Sequence, residues 1–188
     1  MRIILASKSP RRKELLGKIV PEFEIITFET DETLPENVHP RDGVEILAVR
    51  KGKVVCDEVG EDALIISSDT LVELDGNPLG KPKDEADALE MLMRLSGKTH
   101  NVHTGVAVHC KGKVFSGVDS SAVTFKSFDE SEARDYIATG EPMDKAGAYA
   151  IQGIGARLVA KYEGEFDTIV GLGLKLTKSL IDEALKNE

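Results

Sequence analysis

The chain opens on a pattern that leaves little freedom. A short apolar run, Ile3-Ile4-Leu5-Ala6, gives way at once to Ser7-Lys8-Ser9-Pro10-Arg11-Arg12-Lys13-Glu14-Leu15-Leu16. The first part reads as a buried strand and the second as a helix entered directly from it. Ser7 or Ser9 is placed to cap that helix, and Pro10 suits its first turn, where a missing N–H costs nothing. A helix start offers unpaired backbone N–H groups and the positive end of the macrodipole. Arg11 and Arg12 in the same turn oppose that dipole and contribute nothing as helix stabilisers. An anionic ligand, usually a phosphate, accounts for them. A capped surface helix with solvated basic residues is the other account of the same spacing.

The chain has 188 residues, 41% hydrophobic and 30% charged. That is enough for one soluble α/β domain with a real core, or two small lobes about a cleft, spanning 1–188. The formal charge of −9 argues against general affinity for nucleic acid or an anionic membrane, so basic residues that cluster stand out. Cys56 and Cys110 have no metal-type spacing and read as reduced structural thiols of a cytoplasmic protein. The N-terminal apolar run breaks at Ser7, too short for a signal peptide, and no stretch approaches a membrane span.

Further along, 23–28 reads as a strand leading into an acidic loop with Asp31 and Glu32, and 42–59 as a helix. A buried strand is expected at 63–67, resuming at 71–74 after Asp69-Thr70, with Asp75-Gly76-Asn77-Pro78 as a turn. A helix over 84–95 has Ala88, Leu89, Leu92 and Leu95 on one face. Two β-type runs, 99–109 and 114–125, are joined by Lys111-Gly112-Lys113 as a hairpin. A helix at 131–139, an irregular glycine-rich segment at 144–155, a strand at 158–162 and a closing helix at 174–185 complete a mixed α/β pattern.

Several residue types in this frame carry chemistry. Asp69, just past a predicted strand, suits a metal ligand or a group that orients water or takes a proton; a turn or cap aspartate fits equally. Asp31 and Glu32 would complete a site for a hard cation with Asp69, since Mg2+ prefers one or two carboxylates plus substrate oxygens. Lys81, between Gly80 and Pro82, is either a rigid phosphate clamp or an ordinary turn residue. Lys51 shares its helix with Arg50 and Lys53, where a solvated face is the default. His100, His103 and His109 lie on an extended run with no carboxylate at ligand spacing, and read as structural or surface histidines rather than a zinc site. In Asp144-Lys145-Ala146-Gly147-Ala148-Tyr149-Ala150-Ile151-Gln152-Gly153, the glycines permit close backbone approach to a ligand. Lys145, Tyr149 and Gln152 add polar groups suited to a nucleotide.

Taken together, these segments resemble the Maf family of nucleoside triphosphate pyrophosphatases. The opening Leu5-Ala6-Ser7-x-Ser9-Pro10-Arg11-Arg12-x-Glu14-Leu15-Leu16 carries the likeness. So do Asp31-Glu32, Leu47-Ala48-x-x-Lys51, Ser68-Asp69-Thr70, Gly80-Lys81-Pro82, Val102-x-Thr104-Gly105-Val106 and the segment from Asp144 to Gly153. The resemblance runs over essentially the whole chain, in order. It implies a mixed, elongated sheet with flanking helices, two lobes around a deep cleft, related to the inosine triphosphate pyrophosphatases (Maf/Ham1), and a homodimer. It implies hydrolysis of a nucleoside triphosphate to the monophosphate and pyrophosphate with a divalent cation, Mg2+, Mn2+ or Co2+. Asp-Thr at 69–70 resembles the dTTP/UTP branch, where Asp-Gln would resemble the branch acting on 7-methyl-GTP; with the intact loop from Asp144 to Gln152, it points to pyrimidine triphosphates, modified ones included. The chain departs from the family at Leu158 (usually Phe), near Asp167-Thr168 (usually an Asn), at Gly173 (usually Pro) and at Gly52 (usually Ala).

Joined to the resemblance, the residue chemistry gives an expected division of labour. Ser7, Ser9, Arg11 and Arg12 hold the triphosphate, and Lys51 and Lys81 neutralise its remaining charge. Glu32 and Asp69 hold the cation, and Asp69 orients or deprotonates the attacking water. Thr70, Lys145 and Gln152 read base and sugar. Two other readings stand beside this one. The family is also associated with restraint of septum formation, so one is a nucleotide-responsive regulator with a cell-division partner. The other is a pyrophosphatase for modified purine triphosphates.

Overall fold

The computed structural model describes residues 1–186; the last two positions of the expected 1–188 unit lie outside the described residues. Strand β1 (Arg2–Leu5) buries Ile4 and Leu5 completely. It lies between two parallel neighbours, β2 (Glu24–Ile25) and β3 (Ala63–Leu74). From β3 the sheet turns antiparallel through β5 (Thr99–Cys110), β6 (Lys113–Phe125) and β7 (Val159–Glu163), while β4 (Asn77–Leu79) folds back onto β3. Both tight hairpins use two left-handed residues, Asp75 and Gly76 in one, Lys111 and Gly112 in the other. That geometry matches the twist of the strands they join.

Helix α1 (Pro10–Gly17) follows β1 directly, with Ser9 as its cap. Helix α2 (Pro40–Val59) lies across one face of the sheet, so close that a Cβ at Gly105 of β5 would overlap the Val44 carbonyl. Helices α3 (Glu85–Leu95) and α4 (Glu130–Ile137) pack together, both entered through an aspartate cap, Asp84 and Asp129. The short α5 (Phe166–Val170) and the closing α6 (Leu174–Lys186) cover β5 and β6. Alternation along β3 sends Ala63 and Ile65 into a small core with Val55 of α2, and Leu64 and Ile66 into the main core. Among the described residues no helix is long and apolar enough to cross a membrane. Cys56 and Cys110 are in no disulfide.

One detail of pairing positions everything that follows. The β1–β3 register ends at Leu5↔Ile66, and β4 joins the same edge of β3 only from Val72↔Leu79. Between them, positions 67–71 of β3 have no strand neighbour on that edge among the described residues.

Two expectations are corrected here, and one element is new. The strand expected to stop before Asp69 runs through it, because β5 pairs without a break from Ile65↔His109 to Glu73↔Asn101. The polar run survives inside the sheet because its hydroxyls are satisfied: Ser67 Oγ donates to the Ala48 carbonyl at 2.7 Å and Ser68 Oγ to the Gly171 carbonyl at 2.9 Å. The strand expected at 23–28 shrinks to Glu24–Ile25, since β1 gives way to the helix cap after Leu5 and only Ile4 and Leu5 remain to pair. Helix α5 carries no sequence signal of its own; Gly171 and Leu172 N–H groups both donate to the Asp167 carbonyl and close it. The irregular segment at 144–155 falls across three short 3-10 turns, Glu141–Asp144, Ala146–Ala148 and Ile154–Leu158.

Candidate active site

A cleft of about 1030 Å3 opens at the unpaired stretch of β3. Ser7, Ser9, Arg11, Arg12, Glu32, Lys51, Asp69, Thr70, Lys81, Lys145 and Gln152 all line it. Because side chains alternate along a strand, Asp69 and Thr70 leave β3 on opposite faces. Both reach the cleft because it wraps around the open edge.

On the α2 face, Lys51 Nζ bridges two carboxylates, Asp69 Oδ1 at 2.5 Å and Glu32 Oε1 at 2.8 Å. Lys51 is therefore not on a solvated face: its side chain is 18% exposed and Asp69's 11%. The Lys51 hydrogen bond, with its charge and those of Lys81 and Arg12, holds the Glu32 carboxyl below its ordinary range. Arg50, its neighbour on α2, donates to the carbonyls of Asp31 and Thr33 and so ties the acidic loop to the helix. Asp31 does not join the cluster. It is exposed and accepts from the Thr33 N–H at 2.9 Å; hydrogen bonds from the Thr33 hydroxyl and N–H in this local turn hold its carboxyl low.

On the opposite face, Arg12 is held from three sides. Its Nε donates to the Gly171 carbonyl at 2.9 Å, Nη2 to Thr70 Oγ1 at 3.2 Å and Nη1 to Ser7 Oγ at 3.5 Å. Among the described residues, two of its five N–H groups meet no partner and face the cleft for a ligand. Burial lowers the Arg12 pKa, and Asp69 counters that. Thr104 Oγ1 donates to the Thr168 carbonyl at 2.7 Å, so in the Thr70–Thr104 contact of 2.9 Å Thr70 is the donor. Thr70 thus spends its proton and faces the cleft as an acceptor only.

The helix start is arranged as its sequence predicts. Ser9 is the cap, accepting from the Arg12 N–H, while Ser7 Oγ accepts from the Ser9 N–H. Lys145 is half-buried, with Nζ donating to the Glu141 carbonyl at 2.8 Å and to Asp144 at 2.6 Å. The lysine keeps the Asp144 carboxyl low. Gly147, at positive φ, donates to the Gly80 carbonyl and fastens this loop beside the Lys81 turn. Lys81 and Gln152 are exposed on the cleft wall.

Among the described residues, no group of three or more His, Cys, Asp or Glu side chains is set to hold a metal ion. The donors that fit one are Glu32 and Asp69, hard oxygens that already share a positive charge through Lys51. The histidines are structural. His103 bridges Glu73 and Ser120 at 2.7 Å each, His100 meets the Tyr149 hydroxyl at 2.8 Å, and His109 reaches the Val49 carbonyl. The Gly171 carbonyl and the Thr168 carbonyl, which hold Arg12 and Thr104, are site elements the sequence does not announce. Both are backbone atoms, Thr168 within α5 and Gly171 at its C-terminal end, in a stretch with no motif of its own.

Comparison with known proteins bears on this geometry. Residues 2–184 match the Maf-like protein family. A Bacillus velezensis protein named dTTP/UTP pyrophosphatase is 45% identical over 182 residues, covering 97% of this chain and 96% of its own. One of the same name from Pelotomaculum thermopropionicum is 48% identical over 174 residues, covering 92% and 91%. Among solved structures, the Staphylococcus aureus Ham1 protein superposes with a TM-score of 0.52 at 15% identity, covering 100% of this chain and 99% of its own. Protein VC0702 from Vibrio cholerae superposes at 0.52 and 12% identity, covering 99% and 98%. Those two likenesses concern the fold alone.

Proposed function

The chain belongs to the Maf-like family, and from that premise we propose that it hydrolyses a pyrimidine nucleoside triphosphate, dTTP or UTP, to the monophosphate and pyrophosphate. The observation that carries the reading is the Glu32–Lys51–Asp69 cluster facing Arg12 across one open strand edge. The names of the two relatives supply the substrate class.

In this reading the triphosphate lies along the cleft, with Arg11, the free N–H groups of Arg12 and the polar start of α1 at Ser7 and Ser9 on its oxygens. Lys51 and Lys81 neutralise the remaining charge. Asp69 orients a water and accepts its proton as the water oxygen bonds to the α-phosphorus. The bond from that phosphorus to the bridging oxygen breaks, and pyrophosphate leaves with the electron pair. Glu32 and Asp69, with substrate oxygens, would hold a divalent cation, Mg2+, Mn2+ or Co2+, which supplies further neutralisation of charge on the triphosphate. The cationic side chains Arg11, Arg12, Lys51 and Lys81 are in place before reaction, so little reorganisation opposes the charge spreading onto the leaving group. Thr70 as acceptor, with Lys145 and Gln152, reads the base and sugar.

The test is direct: purified protein with Mg2+ or Mn2+ and a panel of nucleoside triphosphates, scored for pyrophosphate and monophosphate. Pyrophosphate from dTTP and UTP, with purines poor, supports the proposal. Nucleotide binding with no turnover across the panel refutes it and favours a nucleotide-responsive regulator.

A further inference from the structure

A cleft that takes a nucleotide must hold the base as well as the phosphates, and one aromatic face is free to do so. Among the described residues, two phenyl-type rings line the cleft, Phe28 and Tyr149. Tyr149 is only 5% exposed, its hydroxyl is bonded to His100, and its ring packs against Phe125 and His100. Its surface belongs to the core. Phe28 is 44% exposed.

Phe28 stands on the loop that leaves β2, four positions before Glu32, at most about 14 Å of extended chain from that carboxylate. The Glu32 end of the loop is fixed to α2 by the two Arg50 bonds, and the Thr30 hydroxyl reaches back to the Phe28 carbonyl at 3.5 Å. The ring is therefore carried on the cleft wall by a segment anchored beside the Lys51 cluster. The cationic groups Arg12, Lys51 and Lys81 suit phosphate, and the two lysine ammonium groups have no π-face to offer a heterocycle.

We propose that Phe28 is the stacking platform for the nucleobase of the substrate, an inference that rests on the nucleotide pyrophosphatase reading. Every base has a π-face, so stacking strengthens binding without sorting pyrimidine from purine. Sorting is left to the hydrogen-bonding groups of Thr70, Lys145 and Gln152. The base lies away from the reacting phosphorus, so its contact is equally strong before and during reaction and acts on KM, not on kcat.

The chain has no tryptophan, which gives a readout independent of turnover. In Phe28→Trp, dTTP or UTP quenches the introduced indole fluorescence, whereas inorganic tripolyphosphate, with phosphates and no base, binds without quenching. In Phe28→Ala, KM for dTTP rises roughly 5- to 100-fold. Its kcat stays within about twofold and the inhibition constant of tripolyphosphate is unchanged; Phe28→Trp restores KM. Unquenched fluorescence with dTTP demonstrably bound, or an unchanged KM in Phe28→Ala, overturns the proposal. So does a parallel loss of dTTP and tripolyphosphate affinity, which marks the ring as a loop support. A wild-type protein that turns over nothing but still binds dTTP refutes the enzymatic reading alone. The quenching experiment then decides on Phe28 by itself.

Discussion

The Arg12 guanidinium donates to the Gly171 carbonyl at 2.9 Å across a separation of 159 residues. That bond, with those to Thr70 and Ser7, makes Arg12 both a ligand for anions and a fastener between α1 and the loop before α6. Lysine carries the charge but not the planar fork, so the two roles can be separated.

Arg12→Lys is expected to keep a positive charge in the cleft yet lose at least two of the three bonds. Its thermal midpoint falls measurably, consistent with about 1–3 kcal/mol for broken hydrogen bonds to a charged group. Arg12→Ala lowers kcat/KM by on the order of 10²-fold or more. Unchanged kinetics in both variants would reduce the opening motif to a capped helix.

Asp69→Asn retains the shape of the side chain and removes its capacity to take a proton. Turnover should collapse while the dTTP dissociation constant, measured by calorimetry, stays within a few-fold. Near-normal turnover would take Asp69 out of the chemistry.

Gly52 lies on α2 where the His109 ring and Ser67 press against the helix, and a Cβ there would overlap the ring. Alanine there is therefore expected to destabilise this chain by roughly 1–3 kcal/mol through overpacking. Denaturant unfolding of Gly52→Ala, His109→Val and the double variant should reveal strong coupling, with the trimmed ring relieving the clash. Full additivity would contradict the packing account.

Burial pushes His100 down from 6.5 to about 4. The unfolded chain thus takes up a proton between about pH 6.5 and 4 that the folded chain refuses. Stability therefore falls as pH drops through that window, by roughly 3 kcal/mol at its lower end, and is unaffected by His100 above it. His109, also lowered by burial, acts in the same direction. His100→Gln should flatten the dependence of the thermal midpoint on pH between those limits, and an unchanged slope would exclude His100 as a source.

Much of the fold is legible locally. The β1–α1 junction, the hairpins at Asp75-Gly76 and Lys111-Gly112, and helices α2, α3, α4 and α6 all declare themselves through periodicity, caps and turn residues. What misleads is polarity inside a strand. Ser67-Ser68-Asp69-Thr70 looks like an interruption because the carbonyls that satisfy Ser67 and Ser68 belong to Ala48 and Gly171, remote in sequence. The departures at Gly52 and Gly173 are equally opaque in one dimension. Each leaves room for a side chain from elsewhere, the His109 ring and the Asp119 carboxylate.

For the site, the sequence alone determined which chemical groups are present: a basic helix start, lysines, two useful carboxylates and a polar glycine-rich loop. Residue type and spacing carry that information, and the cleft lining contains every one of those groups. Only the tertiary structure decided which of them meet. Glu32 joins Lys51 and Asp31 does not, because one carboxylate is used by its own turn. Asp69 and Thr70 serve opposite walls of one cleft because β1 stops pairing at Leu5↔Ile66 and β4 pairs only from Val72↔Leu79, leaving an edge between them. A gap between two strand partners is a property of pairing between distant segments, and no residue in the gap encodes it.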